Sequence, residues 1–485
     1  MRAALRASLV ESGEGCCIYC VRPAESPAPA PPGLEDLWGR VDVLVAHLQA
    51  SREDEERVLA RQLDVIRDGY LPMPSPFAEG LSDKSVRSWL HENQFYYEFR
   101  ASSQERYFWI TGPFSSLYCL ETIWFPNRGI AVTIKPSSVD CGRLARFQAM
   151  LDRAPHKLDW GGHLADVPRT AVVGFEHLMH MLWNELPALD SLVGSVLPDA
   201  FDIAVRFEPF GPTRELFPEL SSRLRTLKYA DTPQENATRG LLFSLVSWTI
   251  TRATQERVRR VAARRCSPEA MTRRDQFKGS HDPVFWLSVK PPQRTMFSQP
   301  EILAGLIGAL RSRHPNAGFI LDGASLPWDF AMNTNYAGWC APVLEKYVRD
   351  SAPIIADVLD RLDATTRDHV VALNGISACE EAVWGEAATF YICHGGTMQN
   401  KIGWLHRIPG LTHSNRSFLK SWRTDPIIED GPPCYFASSE LVLDDDDAHY
   451  SPSELARADQ NYSFTSLSRL VDEVLAAFAA SRAVS

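Results

Sequence analysis

Two stretches of this 485-residue chain carry residue types at spacings that chemistry can use. The first is Phe390-Tyr-Ile-Cys-His-Gly-Gly-Thr-Met-Gln-Asn-Lys401. An apolar run ending in His-Gly-Gly predicts a strand, a turn and a helix start. Glycines let a ligand approach the backbone closely, and a helix start offers unpaired N–H groups with a partial positive charge. A phosphate or diphosphate suits such a place, held by the amides of Gly395, Gly396 and Thr397. His394 would donate to a phosphate oxygen and the Thr397 hydroxyl would add a second donor. A structural turn whose histidine is satisfied by backbone explains the same residues without a ligand. Lys290 and Arg294 follow an earlier strand-like run and would reach the same sheet edge, where cations neutralise a diphosphate without a metal. Ordinary surface charge is the plainer alternative.

The second stretch is Gly174-Phe-Glu-His-Leu-Met-His-Met-Leu-Trp-Asn-Glu-Leu-Pro187. On a helix, His177, His180 and Asn184 share one face, three and four residues apart, while Glu185 sits off it. A histidine presented there could act as general base on a hydroxyl, and Glu185 could orient a neighbour. A core histidine with its hydrogen bonds met accounts for each residue equally well. His-x-x-His is weak evidence for zinc, because the spacing is common by chance. Cys17-x-x-Cys20 is half a zinc site without its second half. Asp444 to Asp447 reads as a solvated acidic loop. No metal is expected.

These residues must be held by larger elements. Hydrophobic residues make up 45% and charged residues 23%, the composition of a globular chain. A net charge of −10 disfavours a protein that grips nucleic acid through phosphates. Met1 to Val10 lacks the apolar core of a signal peptide. The best apolar run, Leu241 to Ile250, is half a membrane span. Ten scattered cysteines suit a reducing compartment, so a cytoplasmic protein is expected.

The chain divides on sequence into six parts. Residues 1–32, ending in Pro-Ala-Pro-Ala-Pro-Pro, read as a flexible leader. Residues 33–80 read as a helical extension; its 34–70 apolar spacing could assemble copies, although packing on its own domain is the better explanation. Residues 81–250 read as an N-terminal, acceptor-side α/β domain, strand-rich from Phe95 to Ile134. Residues 251–279 read as a linker. Its 251–274 portion has eight arginines and two glutamates. It could meet lipid headgroups at the membrane periphery or simply be a solvated helix. Residues 280–440 alternate strands and helices, which implies a Rossmann-like domain with a parallel sheet. Within it Ser298-Gln-Pro-Glu301 and Ser377-Ala-Cys-Glu380 read as capping boxes, and 353–362 as a helix. Residues 441–485 read as the acidic loop and a closing amphipathic helix suited to packing against another domain.

Several of these residues together resemble glycosyltransferase family 61 and related capsular polysaccharide enzymes. His180-Met-Leu-Trp-Asn-Glu-Leu-Pro187 is similar to that family's His-x-x-x-Asp/Glu-x-Leu-Pro segment. His394-Gly-Gly-Thr-Met-Gln-Asn400 is similar to its His-Gly-Ala-x-Leu-x-Asn loop. Ser377, Glu381 and Ala387-Ala388 resemble its Ser-x-x-Glu-Gln helix and following alanine, and Lys290 and Arg294 its basic residues before an Asn-Glu helix. The resemblance spans roughly 170–415, with Asn184 where the family has an acid, Gly396 where it has Ala and Met398 where it has Leu.

The resemblance implies a GT-B architecture, two Rossmann-like domains facing across a cleft. It implies an inverting, metal-independent glycosyltransferase that moves a sugar from a nucleotide-diphosphate donor to a glycan or other hydroxyl acceptor. The nucleotide sugar is a substrate, and no cofactor is expected. By resemblance His180 is the base or its close support, with Asn184 and Glu185 beside it. Lys290, Arg294, His394 and the 395–397 amides hold the diphosphate, Glu381 accepts from sugar or ribose, and Asn400 locks the loop. A non-catalytic sugar-nucleotide-binding scaffold and a GT-B-fold sugar-nucleotide epimerase are the alternatives.

Overall fold

A computed structural model describes the chain except residues 1–3, 14–15, 25–28, 54, 102–104, 114–117, 154–166, 176, 292–293, 337–338, 397–399, 422–427, 429–430, 446–460 and 485. The chain forms two compact units, one of residues 1–175, 188–206 and 219–248, the other of 176–187, 207–218 and 249–485.

In the first unit, aromatic and β-branched runs build an eight-stranded sheet. Its strands are β1 (Ala4–Gly13), β2 (Cys16–Ala24), β3 (Pro72–Pro74), β4 (Ser82–His91), β5 (Gln94–Arg100), β6 (Arg106–Thr111), β7 (Leu120–Phe125) and β8 (Ile130–Thr133). They lie in the order β1-β2-β8-β7-β6-β5-β4-β3, antiparallel except where β2 pairs with β8. The helix Cys141–Arg153 buries Leu144, Phe147 and Leu151 against the sheet, and Phe147 stacks on Tyr96 at 3.9 Å between ring centres. A second, parallel sheet holds β9 (Arg169–Val173), β10 (Phe201–Val205), β11 (Leu224–Thr226) and β12 (Leu241–Ser244), in the order β11-β10-β9-β12. Ser88 fastens the two sheets, its amide to Gly240 O at 3.0 Å and its hydroxyl to Leu242 O at 2.5 Å.

The N-terminal segment departs from the loose leader expected of it. Ala4–Gly13 and Cys16–Ala24 pair as antiparallel strands, and Cys17–Cys20 lie in register with Ile130–Thr133. The unpaired edge of β8 recruits them, a long-range pairing that no local pattern announces. Likewise the helices Trp38–Glu53 and Glu55–Asp68 are part of the unit. Val41, Leu44, Val45, Leu48, Val65 and Ile66 are buried, and Gln62 bonds Ser244 Oγ and the Val246 amide, so this apolar face is covered by its own domain.

The second unit is built on a six-stranded, all-parallel sheet of β13 (Val284–Ser288), β14 (Gly318–Asp322), β15 (Val370–Leu373), β16 (Phe390–His394), β17 (Gly410–His413) and β18 (Cys434–Phe436). The order is β15-β14-β13-β16-β17-β18, the doubly wound order of a Rossmann sheet. The first unit's parallel sheet repeats its first four positions, so the fold is α/β with two Rossmann-like units. A short antiparallel pair, β19 (Val442–Asp444) and β20 (Tyr462–Phe464), follows. The closing helix Leu467–Val484 packs on the second unit's own core, with Leu470, Val474 and Phe478 beside Phe285 and Phe390.

Three local expectations change. The 251–279 stretch is two capped helices, Arg252–Arg265 and Pro268–Ser280, with Thr251 and Ser267 as N-caps. Its arginines turn partly inward: Arg257 donates to Leu216 O, Arg265 pairs with Glu215, and Arg274 with Glu386. Ser377 does cap its helix, its hydroxyl accepting from the Glu380 amide at 3.1 Å. Ser298 makes no cap bond and sits at φ 51°, because Gln299 fastens the preceding loop instead and Glu301 pairs with Arg361. The helix containing Pro353 begins at Ala341 and runs through the proline to Asp360, its buried face of Leu344, Ser351, Ile355 and Val358 outweighing the lost backbone bond.

Candidate functional site

In a doubly wound sheet, ligands settle at the carboxyl ends of the strands where the strand order reverses. Here that point lies between β13 and β16. β13 ends in Ser288 and β16 in His394, and the two are joined. Ser288 Oγ lies 3.0 Å from His394 Nδ1, and the His394 amide donates to the same oxygen at 2.9 Å. The other ring nitrogen, Nε2, is buried and has no hydrogen-bond partner among the described residues. Burial, then His413, then the Lys290 cation hold the His394 imidazole well below the usual histidine range, so it is neutral at neutral pH.

β17 brings His413 into register with His394, the rings 4.6 Å apart. Tyr462, from β20, meets His413 Nδ1 through its hydroxyl at 2.7 Å. Burial and then Lys290 push His413 down to about 3. Neither His413 nor Tyr462 was singled out by sequence. The available signal was position, since His413 ends the run Gly410-Leu-Thr-His as His394 ends Phe390-Tyr-Ile-Cys-His.

Lys290 and Arg294 sit on the loop leaving β13, both half-buried. Gln299 clasps this loop, accepting from the Lys290 amide at 2.9 Å and donating to the Lys290 carbonyl at 3.0 Å. Thr295 adds a bond to that carbonyl at 2.8 Å. The Arg294 guanidinium lies 5.2 Å over the Phe418 ring and against Gly396. Gly396 adopts φ 99°, and a Cβ there would stand 3.2 Å from an Arg294 Nη, so both backbone and space require glycine. The Gly395 amide already donates to His413 O at 2.7 Å, which leaves it to the sheet rather than to a ligand. Thr397 lies outside the described residues, and Asn400 opens the π-helical turn Asn400–Trp404.

The His177–Glu185 stretch belongs to this same unit. It runs as the turn Leu178–His180 and the π-helical turn Met181–Glu185. His180 Nδ1 lies 2.8 Å from Asn184 Oδ1, and the ring stacks on Trp183. An amide oxygen accepts, so Nδ1 carries the proton and Nε2 is the basic nitrogen. Burial pushes His180 down to about 4, against the Asn184 bond, which favours the charged form. Asn184 thus sets the tautomer as an acid would, without an acid's charge. Glu185 is fully buried. His177 is exposed, and its ring meets His180 at 4.6 Å between centres.

Glu381 does not stand where a ribose could use it. It is 3% exposed, with Oε1 at 2.6 Å from Lys401 Nζ and Oε2 accepting from Ser325 at 2.5 Å. Asp322, at the end of β14, takes the other side of Lys401 at 3.1 Å. Among the described residues, no group of three or more His, Cys, Asp or Glu could hold a metal ion. No helix among them is long and apolar enough to cross a membrane.

No protein-family model matches the chain, and no curated protein matches it. Solved structures give slight likenesses. E. coli ADP-heptose LPS heptosyltransferase II is 9% identical, with 65% of this chain and 99% of that one covered, at a TM-score of 0.35. A glycosyl transferase family 9 protein from Veillonella parvula is 9% identical over 56% and 86%, at 0.30. The UDP-GlcNAc 2-epimerase of Methanocaldococcus jannaschii is 11% identical over 49% and 60%, at 0.24.

Proposed function

We propose that the protein is a glycosyltransferase of GT-B arrangement that takes a nucleotide-diphosphate sugar and inverts the anomeric centre. The observation that carries the reading is the sheet's reversal point, where Ser288 and His394 meet, His413 lies 4.6 Å from His394, and Lys290 and Arg294 sit on the loop leaving β13. Two cations beside neutral imidazoles suit a diphosphate, because they neutralise it while the imidazoles still donate or accept as the oxygens require. The resemblance of the His180 and His394 segments to family 61 supplies the reaction class.

In this reading His180 Nε2 takes the acceptor hydroxyl's proton as its oxygen attacks the anomeric carbon. The bond from that carbon to the diphosphate oxygen breaks with its electron pair, and Lys290 and Arg294 stabilise the charge that develops on the leaving group. The acceptor is a hydroxyl of a glycan.

Isothermal titration with UDP, GDP, ADP and CDP, then with their sugar conjugates, tests the reading. Saturable binding of one nucleotide, lost in Lys290→Ala and Arg294→Ala, is expected. Absence of binding to every nucleotide by the folded protein would overturn it. Donor consumption without acceptor would point instead to an epimerase.

A further inference from the structure

We infer that Lys401 is a positioning residue for the strand-end site, its ammonium clamping the exit of the His-Gly-Gly loop onto the end of β14 and onto the helix Ala378–Gly385. The inference rests on the functional reading above and concerns residues with no part in the direct contacts proposed there.

Lys401 is 7% exposed and lies in the π-helical turn by which the loop leaves the site. An ammonium has three N–H donors and no acceptor. The structure supplies two acceptor groups, Asp322 at 3.1 Å and the Gly323 carbonyl at 3.0 Å, and Glu381 as an ion-pair partner at 2.6 Å. They come from two different elements, so one side chain ties three pieces of chain. These partners are themselves fixed. The Trp286 indole donates to Asp322 at 3.2 Å, and Ser325 donates to Glu381.

The loop is therefore held at both ends. Its entry is fixed by the double contact of His394 with Ser288, its exit by Lys401. A glycine-rich turn left to itself loses much conformational entropy on ordering, and a ligand would have to meet that cost. Clamping both ends leaves the His394 ring and the Arg294–Gly396 contact preset. A π-helical turn at the exit fits this role, since such turns gather where a helix must re-aim side chains at a site. Burial raises the Asp322 pKa, against the Lys401 cation and with help from Glu381.

Hydrogen exchange and calorimetry on Lys401→Met test the inference. Amides of 394–396 and 400–404 are expected to exchange at least tenfold faster, and the bound nucleoside diphosphate to weaken at least tenfold. Val358→Ala, a core truncation in the same unit, is the control and should change neither. Equal effects from Val358→Ala, or no effect from Lys401→Met, would overturn the clamp. Should Lys401→Met not fold, Glu381→Ala and Glu381→Gln take its place. Alanine removes one partner and should loosen the loop, while glutamine keeps a carbonyl for Lys401 and should restore it; identical behaviour of the two refutes the inference. If the wild-type protein binds no nucleotide, the functional reading fails, and the exchange rates alone decide the clamp.

Discussion

The buried histidines of the second unit make its stability steeply dependent on acid, and the size of the effect follows from their surroundings. His413 and His406 are each held down to about 3, the first by burial and then Lys290, the second by burial and then Arg259. His394 is also held well below its ordinary value. In the unfolded chain each would titrate at roughly 6.5. A base whose folded pKa is depressed is protonated first in the unfolded state, so its contribution is complete above about pH 6.5 and is lost as pH falls toward the folded value. Between those limits each histidine contributes a slope of about 1.4 kcal/mol per pH unit. Asp322 works in the opposite sense, because its raised pKa makes the folded state the better proton acceptor. These three histidines, less one carboxyl, contribute about 3 kcal/mol per pH unit from near pH 6 to pH 4.5, and His180, held down to about 4 by burial, adds in the same sense. That would consume much of a typical margin of about 5–15 kcal/mol.

Urea unfolding followed by tryptophan fluorescence, with Trp286, Trp384 and Trp404 all buried in this unit, reads the slope directly. His413→Gln keeps a polar side chain that cannot be protonated, and it should flatten the slope by about 1.4 kcal/mol per pH unit. A wild-type stability that is level from pH 6.5 to 5, or a variant slope equal to wild type, would show that these imidazoles are not the neutral groups described.

Four further outcomes are expected. Replacing Asn184 by Asp places a carboxylate 2.8 Å from His180 Nδ1, which should raise its pKa from about 4 by roughly 1–3 units and shift the acid limb of the transfer-rate profile upward; an unmoved limb would exclude His180 as the base. The double change Asp322→Asn with Glu381→Gln strands a buried ammonium and should cost about 3–5 kcal/mol, measured by denaturant midpoint, whereas Asp322→Asn alone keeps one carboxylate opposite Lys401 and should cost far less. Gly396→Ala forces a Cβ onto Arg294 at φ 99° and should lower stability by about 1–2 kcal/mol while weakening nucleotide binding in the same titration. Ser377→Ala should cost about 1 kcal/mol and Ser298→Ala close to nothing, because only the first makes a cap bond.

Elements whose logic is local were legible in residue spacing alone. Alternating apolar runs and helix faces from 280 to 440 required a parallel sheet, and the run ending in His394-Gly-Gly required a strand that stops at a close turn. Two glycines marked where backbone crowding would be tightest, and the Gly396 contact with Arg294 is that crowding. The His180–Asn184 contact followed from a four-residue spacing, which a helix or a π-helical turn brings together alike. Tertiary structure decided the rest, because it rests on pairings between distant residues. Nothing near Ala4 says that a pair of strands will find the edge of β8, since strand pairing is chosen by the partner's open hydrogen bonds. Glu381 stands at a motif position that suits a ligand contact; its partner Lys401 is twenty residues away, and only the fold brings that cation to it. His413 and Tyr462, 49 residues apart, become one hydrogen-bonded pair because β20 is laid against the loop that follows β13. A sequence names the groups able to bind or move a proton, but burial and the neighbours that burial brings decide which are already engaged and which remain for a substrate.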